Sequence, residues 1–188
     1  MQHISKRKIR IGKFPRLQER IILYLAQSRP QTINEIVKGI RGQYKSSWLA
    51  FNALKKKGLI EAVSSLDYHG RRYPRFWLSE LGTFLAIGVG AKSEALLRAI
   101  LEIYPDNKTL HFLVEAVPVL GEYAREVLYL VAVTRGAIEQ TDLTSIFAAQ
   151  TINKLSPQQI KKFVAILKRY PEQRQQIRKS LRELSDLI

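Results

Sequence analysis

Cysteine is absent from the 188 residues, which excludes disulfides and every thiolate metal site. Histidine is nearly absent too, and His3, His69 and His111 are too scattered to form a metal cluster. The longest mostly apolar segment, 127–133, is far short of the ~20 residues that cross a bilayer. No charged N-terminal region leads into an apolar run with a small-residue cleavage site, so a soluble, cytoplasmic protein with no membrane partner is expected. Signatures of enzyme chemistry are also missing: there is no Gly-rich phosphate loop, no H-E-x-x-H and no serine in a nucleophile-elbow setting. Glu115, Glu122 and Glu126 have no partnering His or acidic motif. The expectation is a protein that is not an enzyme and needs no cofactor or metal.

Acidic residues are scarce as well. Against 16 Asp and Glu stand 31 Lys and Arg, a formal net charge of +15, which calls for a polyanionic partner. The excess is concentrated at the two ends. Residues 1–90 carry 17 basic and 5 acidic side chains, residues 91–150 carry 5 and 8, and residues 151–188 carry 9 and 3. A mildly acidic middle between two cationic ends argues for placed charge rather than charge for solubility alone.

The chain opens with a cationic arm, residues 1–14, in which Lys6, Arg7, Lys8, Arg10 and Lys13 could follow a phosphate backbone or lie in a minor groove. Apolar spacing then predicts a helix from Pro15 or Arg16 to Gln27. A second helix starts at the capping box of Thr32 and Glu35 and ends near Gly39 and Gly42. The third runs from Lys45–Ser47 to just before Gly58, a glycine suited to a left-handed C-terminal cap. With Leu54 facing inward, helical phase puts Ser47, Ala50 and Phe51 on the same side. Lys45, Leu49, Asn52 and Lys56 fall on the other, with Trp48 and Lys55 at one flank. Trp48 has two readings, a core or interface anchor and a DNA contact.

Residues 60–66 and 73–78 are strand candidates around a turn at Tyr68–Arg71, with Pro74 limiting their pairing and Arg71, Arg72 and Arg75 gathered at or near the tip. Tyr73, Phe76 and Trp77 are expected to pack this hairpin against the helices, with Phe76 and Trp77 on opposite strand faces. Ser79 is placed to cap a fourth helix, and Gly88–Gly90 marks a boundary. Beyond it only helices are predicted, at 92–104, 108–120, 122–134, 142–154, 157–170 and 172–187, with Pro118 expected to kink or split the second.

The order of three helices and a hairpin, the segment Leu54-Lys-Lys-Lys-Gly-Leu-Ile60 and the segment Phe76-Trp-Leu-Ser-Glu-Leu-Gly82 resemble winged helix-turn-helix DNA-binding proteins of the broad MarR-like and ArsR-like kind, over residues 15–87. The resemblance implies a mainly α fold: a winged helix-turn-helix with a small β-hairpin wing at 15–90, then an all-helical domain at 91–188. It implies that Lys45, Trp48, Leu49, Asn52 and Lys56 face bases. Ser46, Ser47, Lys55, His69, Arg71, Arg72 and Arg75 would contact the DNA backbone. The implied protein is a sequence-specific, double-stranded DNA-binding transcriptional regulator, nucleoid-associated and acting as a homodimer. A non-specific architectural protein and an RNA-binding or complex-assembly module are the alternatives. In residues 151–188, Lys161, Lys162, Lys168, Arg169, Arg174, Arg178, Lys179 and Arg182 lie on amphipathic helices and offer a second basic surface, for DNA or a protein partner.

Overall fold

The computed structural model describes residues 15–133 and 155–185. The cationic arm, the helix expected at 142–154 and the last three residues lie outside them. Three helices, α1 (Arg16–Ala26), α2 (Ile33–Gly39) and α3 (Tyr44–Lys56), lead into an antiparallel hairpin, β1 (Ile60–Tyr68) and β2 (Arg71–Leu78). The rest is helical: α4 (Glu80–Gly88), α5 (Ser93–Ile103), α6 (Lys108–Leu120), α7 (Glu122–Val133), α8 (Pro157–Arg169) and α9 (Pro171–Ser185). The fold class is therefore the one the sequence indicated.

Local chemistry sets the element ends. The Thr32–Glu35 capping box closes in both directions and starts α2. A second box, Ser156 with Gln159, starts α8, and Gln159 also donates to the Val119 carbonyl at 2.9 Å, tying that helix start to α6. Helix α3 ends in a Schellman turn, with Gly58 at φ +72 and the Leu59 amide reaching the Leu54 carbonyl at 3.0 Å. The hairpin turns on two residues, His69 and Gly70, both with positive φ, so its strands begin two residues nearer the tip than the sequence suggested. Pro74 stays inside β2 opposite Ser65. Counting outward from the closing Tyr68–Arg71 pair, this is a non-hydrogen-bonded site, where no amide proton is required. Pro118 likewise leaves α6 continuous to Leu120.

The base of the hairpin is buried on both faces, while β1 beyond Ile60 and β2 before Arg75 are largely exposed. Phe76 packs edge-on against Phe51 of α3, with ring centroids 4.9 Å apart. Trp77 is fully buried, and its indole Nε1 donates to the carbonyls of Leu25, at 2.7 Å, and Ser28, at 3.0 Å. A single-residue bridge adds Gln31 to the other edge of β2 at Phe76.

One apolar core runs through both halves of the chain, including Ile22, Leu54 and Leu85 before Gly90 and Leu113, Leu128 and Phe163 after it. Tyr104 reaches back from α5, donating to the Leu78 carbonyl at 2.7 Å and to Glu61 on β1. Burial first, then the Glu61 carboxylate, raises its hydroxyl pKa well above the ordinary range. His111 is buried, with Nε2 3.0 Å from the Tyr104 carbonyl. At the far end Glu115 of α6 accepts from Tyr170, at 2.9 Å, and pairs with Arg169. Burial, with that carboxylate beside it, pushes the Tyr170 hydroxyl up to about 12.

Helices α4 and α7 touch closely because position 88 has no side chain. A Cβ there would come within 2.7 Å of the Tyr129 Cβ. Gly88→Ala should therefore destabilise the protein by about 1–3 kcal/mol through overpacking, although alanine is the better helix former. Urea unfolding monitored by circular dichroism checks this through the transition midpoint.

Candidate nucleic-acid interface

Helix α3 buries one side and offers the other. Phe51 and Leu54 fill the core, while Lys45, Trp48, Leu49, Lys55 and Lys56 are exposed and Asn52 is half-buried between them. The helical phase read from the sequence thus gives the side of the helix on which each residue lies. Trp48 is 45% exposed and is no core residue. No side chain caps the N-terminus of α3, where Tyr44, Lys45 and Ser46 are all exposed.

Ser47 needs correction as a backbone contact. It is 1% exposed, and its Oγ lies in the tight space left by Gly42, where a Cβ would approach to 2.3 Å. It faces inward with Phe51, so no phosphate can reach it. Lys57 is also turned away from the outer face, donating to Gln18 of α1 at 3.1 Å. Lys55 lies over the Phe76 ring, 5.3 Å from its centroid, where α3 meets the base of the hairpin.

The longer hairpin redistributes the wing arginines. Arg71 flanks the turn, opposite Tyr68, and has no acidic partner among the described residues. Arg72 shares its charge with Asp67 directly across the strands, at 3.4 Å. Arg75 is not at the tip. It pairs in register with Ser64 beside a bulge at Val63, and its guanidinium lies 3.5 Å from Glu35 at the start of α2. Its position is that of a brace between hairpin and helix. His69 occupies the turn itself, its ring edge-on to Tyr68.

Some exposed side chains were not singled out as contacts by sequence reasoning. Leu66, Tyr68 and Tyr73 are exposed on the hairpin. Leu66 faces Tyr73 across the strands, and both lie on the same face as Tyr68 and Arg71. Tyr73 therefore does not pack the hairpin on its helices as Phe76 and Trp77 do. The signal was strand alternation counted back from a two-residue turn. Tyr44 escaped because it precedes the residues from which the helix was counted.

Along α8 and α9, Lys161, Lys162, Lys168, Arg174, Arg178, Lys179 and Arg182 are exposed, as is Arg169, which pairs with Glu115. Among the described residues no group of three His, Asp or Glu is placed to hold a metal ion. Nor is any helix among them long and apolar enough to cross a membrane.

No family model and no curated protein matches the sequence. Three helices followed by a hairpin is the winged-helix shape in general, and it does not single out a MarR-like or ArsR-like family. A winged-helix architecture of this kind is compatible with binding DNA.

The Glu35–Arg75 brace carries a pH signature. The Thr32 amide is the largest influence holding the Glu35 carboxyl below its ordinary 4.5. The Thr32 hydroxyl and Arg75 act in the same direction, and burial opposes them. A lowered folded-state pKa means that this stabilisation is complete above about 4.5 and is lost as pH falls below it. Glu35→Gln should therefore show a shallower fall in melting temperature between about pH 5 and pH 3, measured by differential scanning calorimetry.

Proposed function

We propose that the chain is a sequence-specific, double-stranded DNA-binding transcriptional regulator that acts as a homodimer and carries no catalytic step of its own. The observation that carries this reading is the uncovered outer face of α3, with Lys45, Asn52 and Lys56 in one stripe, packed beside a hairpin whose tip holds Arg71. A helix of this width fits the major groove, where amide and ammonium groups meet base edges and phosphates. The hairpin tip then rests on the neighbouring backbone. Two copies reading half-sites related by two-fold symmetry would supply affinity that one helix lacks. A cytoplasmic, nucleoid-associated location follows from this role. The basic surface on α8 and α9 would serve a second DNA contact or a protein partner.

A non-specific architectural role is favoured by one observation of its own, the +15 net charge gathered at both ends of the chain. Base-facing and backbone-facing variants separate the two. Binding to a site selected from a random duplex library and to its scrambled version should be titrated at several salt concentrations. Asn52→Ala and Lys56→Ala are expected to shrink the preference for the selected site, by about 1–3 kcal/mol for a lost bidentate contact. Arg71→Ala should weaken both duplexes equally and reduce the slope of log K against log salt by about 0.9. Equal losses on both duplexes from every variant would instead assign the architectural role. Absence of binding to every duplex, selected or random, would overturn DNA binding itself.

A further inference from the structure

The chemistry of the α3 outer face is unusual for a cationic surface because its centre is apolar. Leu49 is 55% exposed and Trp48 is 45% exposed, on a helix whose inner side is already filled by Phe51 and Leu54. Both stand next to Asn52 on the helix surface, one at i+3 and the other at i+4. The Asn52 side chain makes no hydrogen bond among the described residues, which leaves its amide group available. Between Tyr44 and Lys56 the helix contains no Arg, Gln, Asp or Glu. It therefore lacks the guanidinium that grips guanine O6 and N7 together, and the carboxylate that accepts from cytosine N4.

Lysine can also donate to guanine, but Lys45 and Lys56 stand at the two ends of the stripe; what remains at its centre, Trp48, Leu49 and Asn52, matches one kind of base pair. The thymine C5 methyl is the apolar group on base edges in the major groove, and adenine N7 and N6 fit an Asn amide in bidentate fashion. A second copy of the chain is the other candidate occupant of an exposed apolar patch. Charge decides against it. Lys45 and Lys56 lie at the two ends of the same stripe, with no acid on the helix to offset them. A two-fold contact through this face would press lysine against lysine, whereas a duplex brings phosphates to both ends.

We infer that α3 reads A·T base pairs, with Leu49 and Trp48 seated on thymine methyl groups and Asn52 on an adjacent adenine edge. This rests on the duplex-reading role proposed above and names its substrate class. The test uses the full chain and four duplexes of equal length at fixed salt: alternating A·T, the same with uracil replacing thymine, alternating G·C, and the same with 5-methylcytosine. Removing the methyl groups should weaken binding about fourfold for each one engaged, and adding them to the G·C duplex should strengthen it. Leu49→Ala and Trp48→Ala, both at exposed positions, should bring the thymine-to-uracil ratio towards one while leaving the salt slope unchanged.

Equal affinity for the thymine and uracil duplexes would overturn the inference and leave DNA binding standing. So would a ratio that persists in both variants, since it would then report duplex shape rather than contact. A dimer that Leu49→Ala dissociates, with a thymine-to-uracil ratio of one, would give the patch to a second copy. Absence of binding to all four duplexes would overturn the underlying reading as well.

Discussion

Trp77 holds the rest of the structure in place. Its indole ring is fully buried at the base of the hairpin, and its N–H reaches two carbonyls where α1 ends. A helix C-terminus leaves carbonyls without intrahelical partners, and a buried indole N–H needs an acceptor. Each solves the problem of the other. The same ring lies 5.9 Å from that of Tyr104, whose hydroxyl fastens the end of α5 to β1 and β2. Helix α1, the hairpin and α5 therefore meet around one side chain.

That junction gives α3 its stance. Phe76, the neighbour of Trp77, turns to the other strand face and seats against Phe51, so the hairpin is gripped by α1 on one side and α3 on the other. Gly82 completes the arrangement, because a side chain there would run into the Leu59 carbonyl just after the Schellman turn of α3. The outer face of α3 stays open because every neighbouring element is engaged elsewhere.

Most of this was legible in the sequence wherever a local rule acts alone. The Thr32–Glu35 capping box, the glycine cap of α3 and the phase of that helix each depend on a few adjacent residues, and each appears as expected. The described helices beyond Gly90 were legible for the same reason. What escaped depends on register or on distant partners. The length of the strands moved Arg75 from tip to brace, and only the location of Glu35 explains its partner. Ser47 was read as a polar contact by residue type, although its phase already put it inside. The Gln31 bridge and the Tyr104 hydrogen bonds join residues far apart in the chain, where no periodicity reports them. The functional assignment of the outer face goes further than fold, since one shape serves many tasks.

The hairpin is clamped at one end and free at the other, which makes it a lever. From Phe76 to Arg71 the extended strand spans about 17 Å, so a tilt of about 5° at the clamped end displaces the tip by about 1.5 Å. That is less than half the ~3.4 Å rise between successive nucleotides of a strand. The β1–β2 ladder, closed by a two-residue turn, limits bending along the lever itself. The precision with which Arg71 can be aimed is thus decided at the indole ring of Trp77, at the opposite end of the hairpin from the charge.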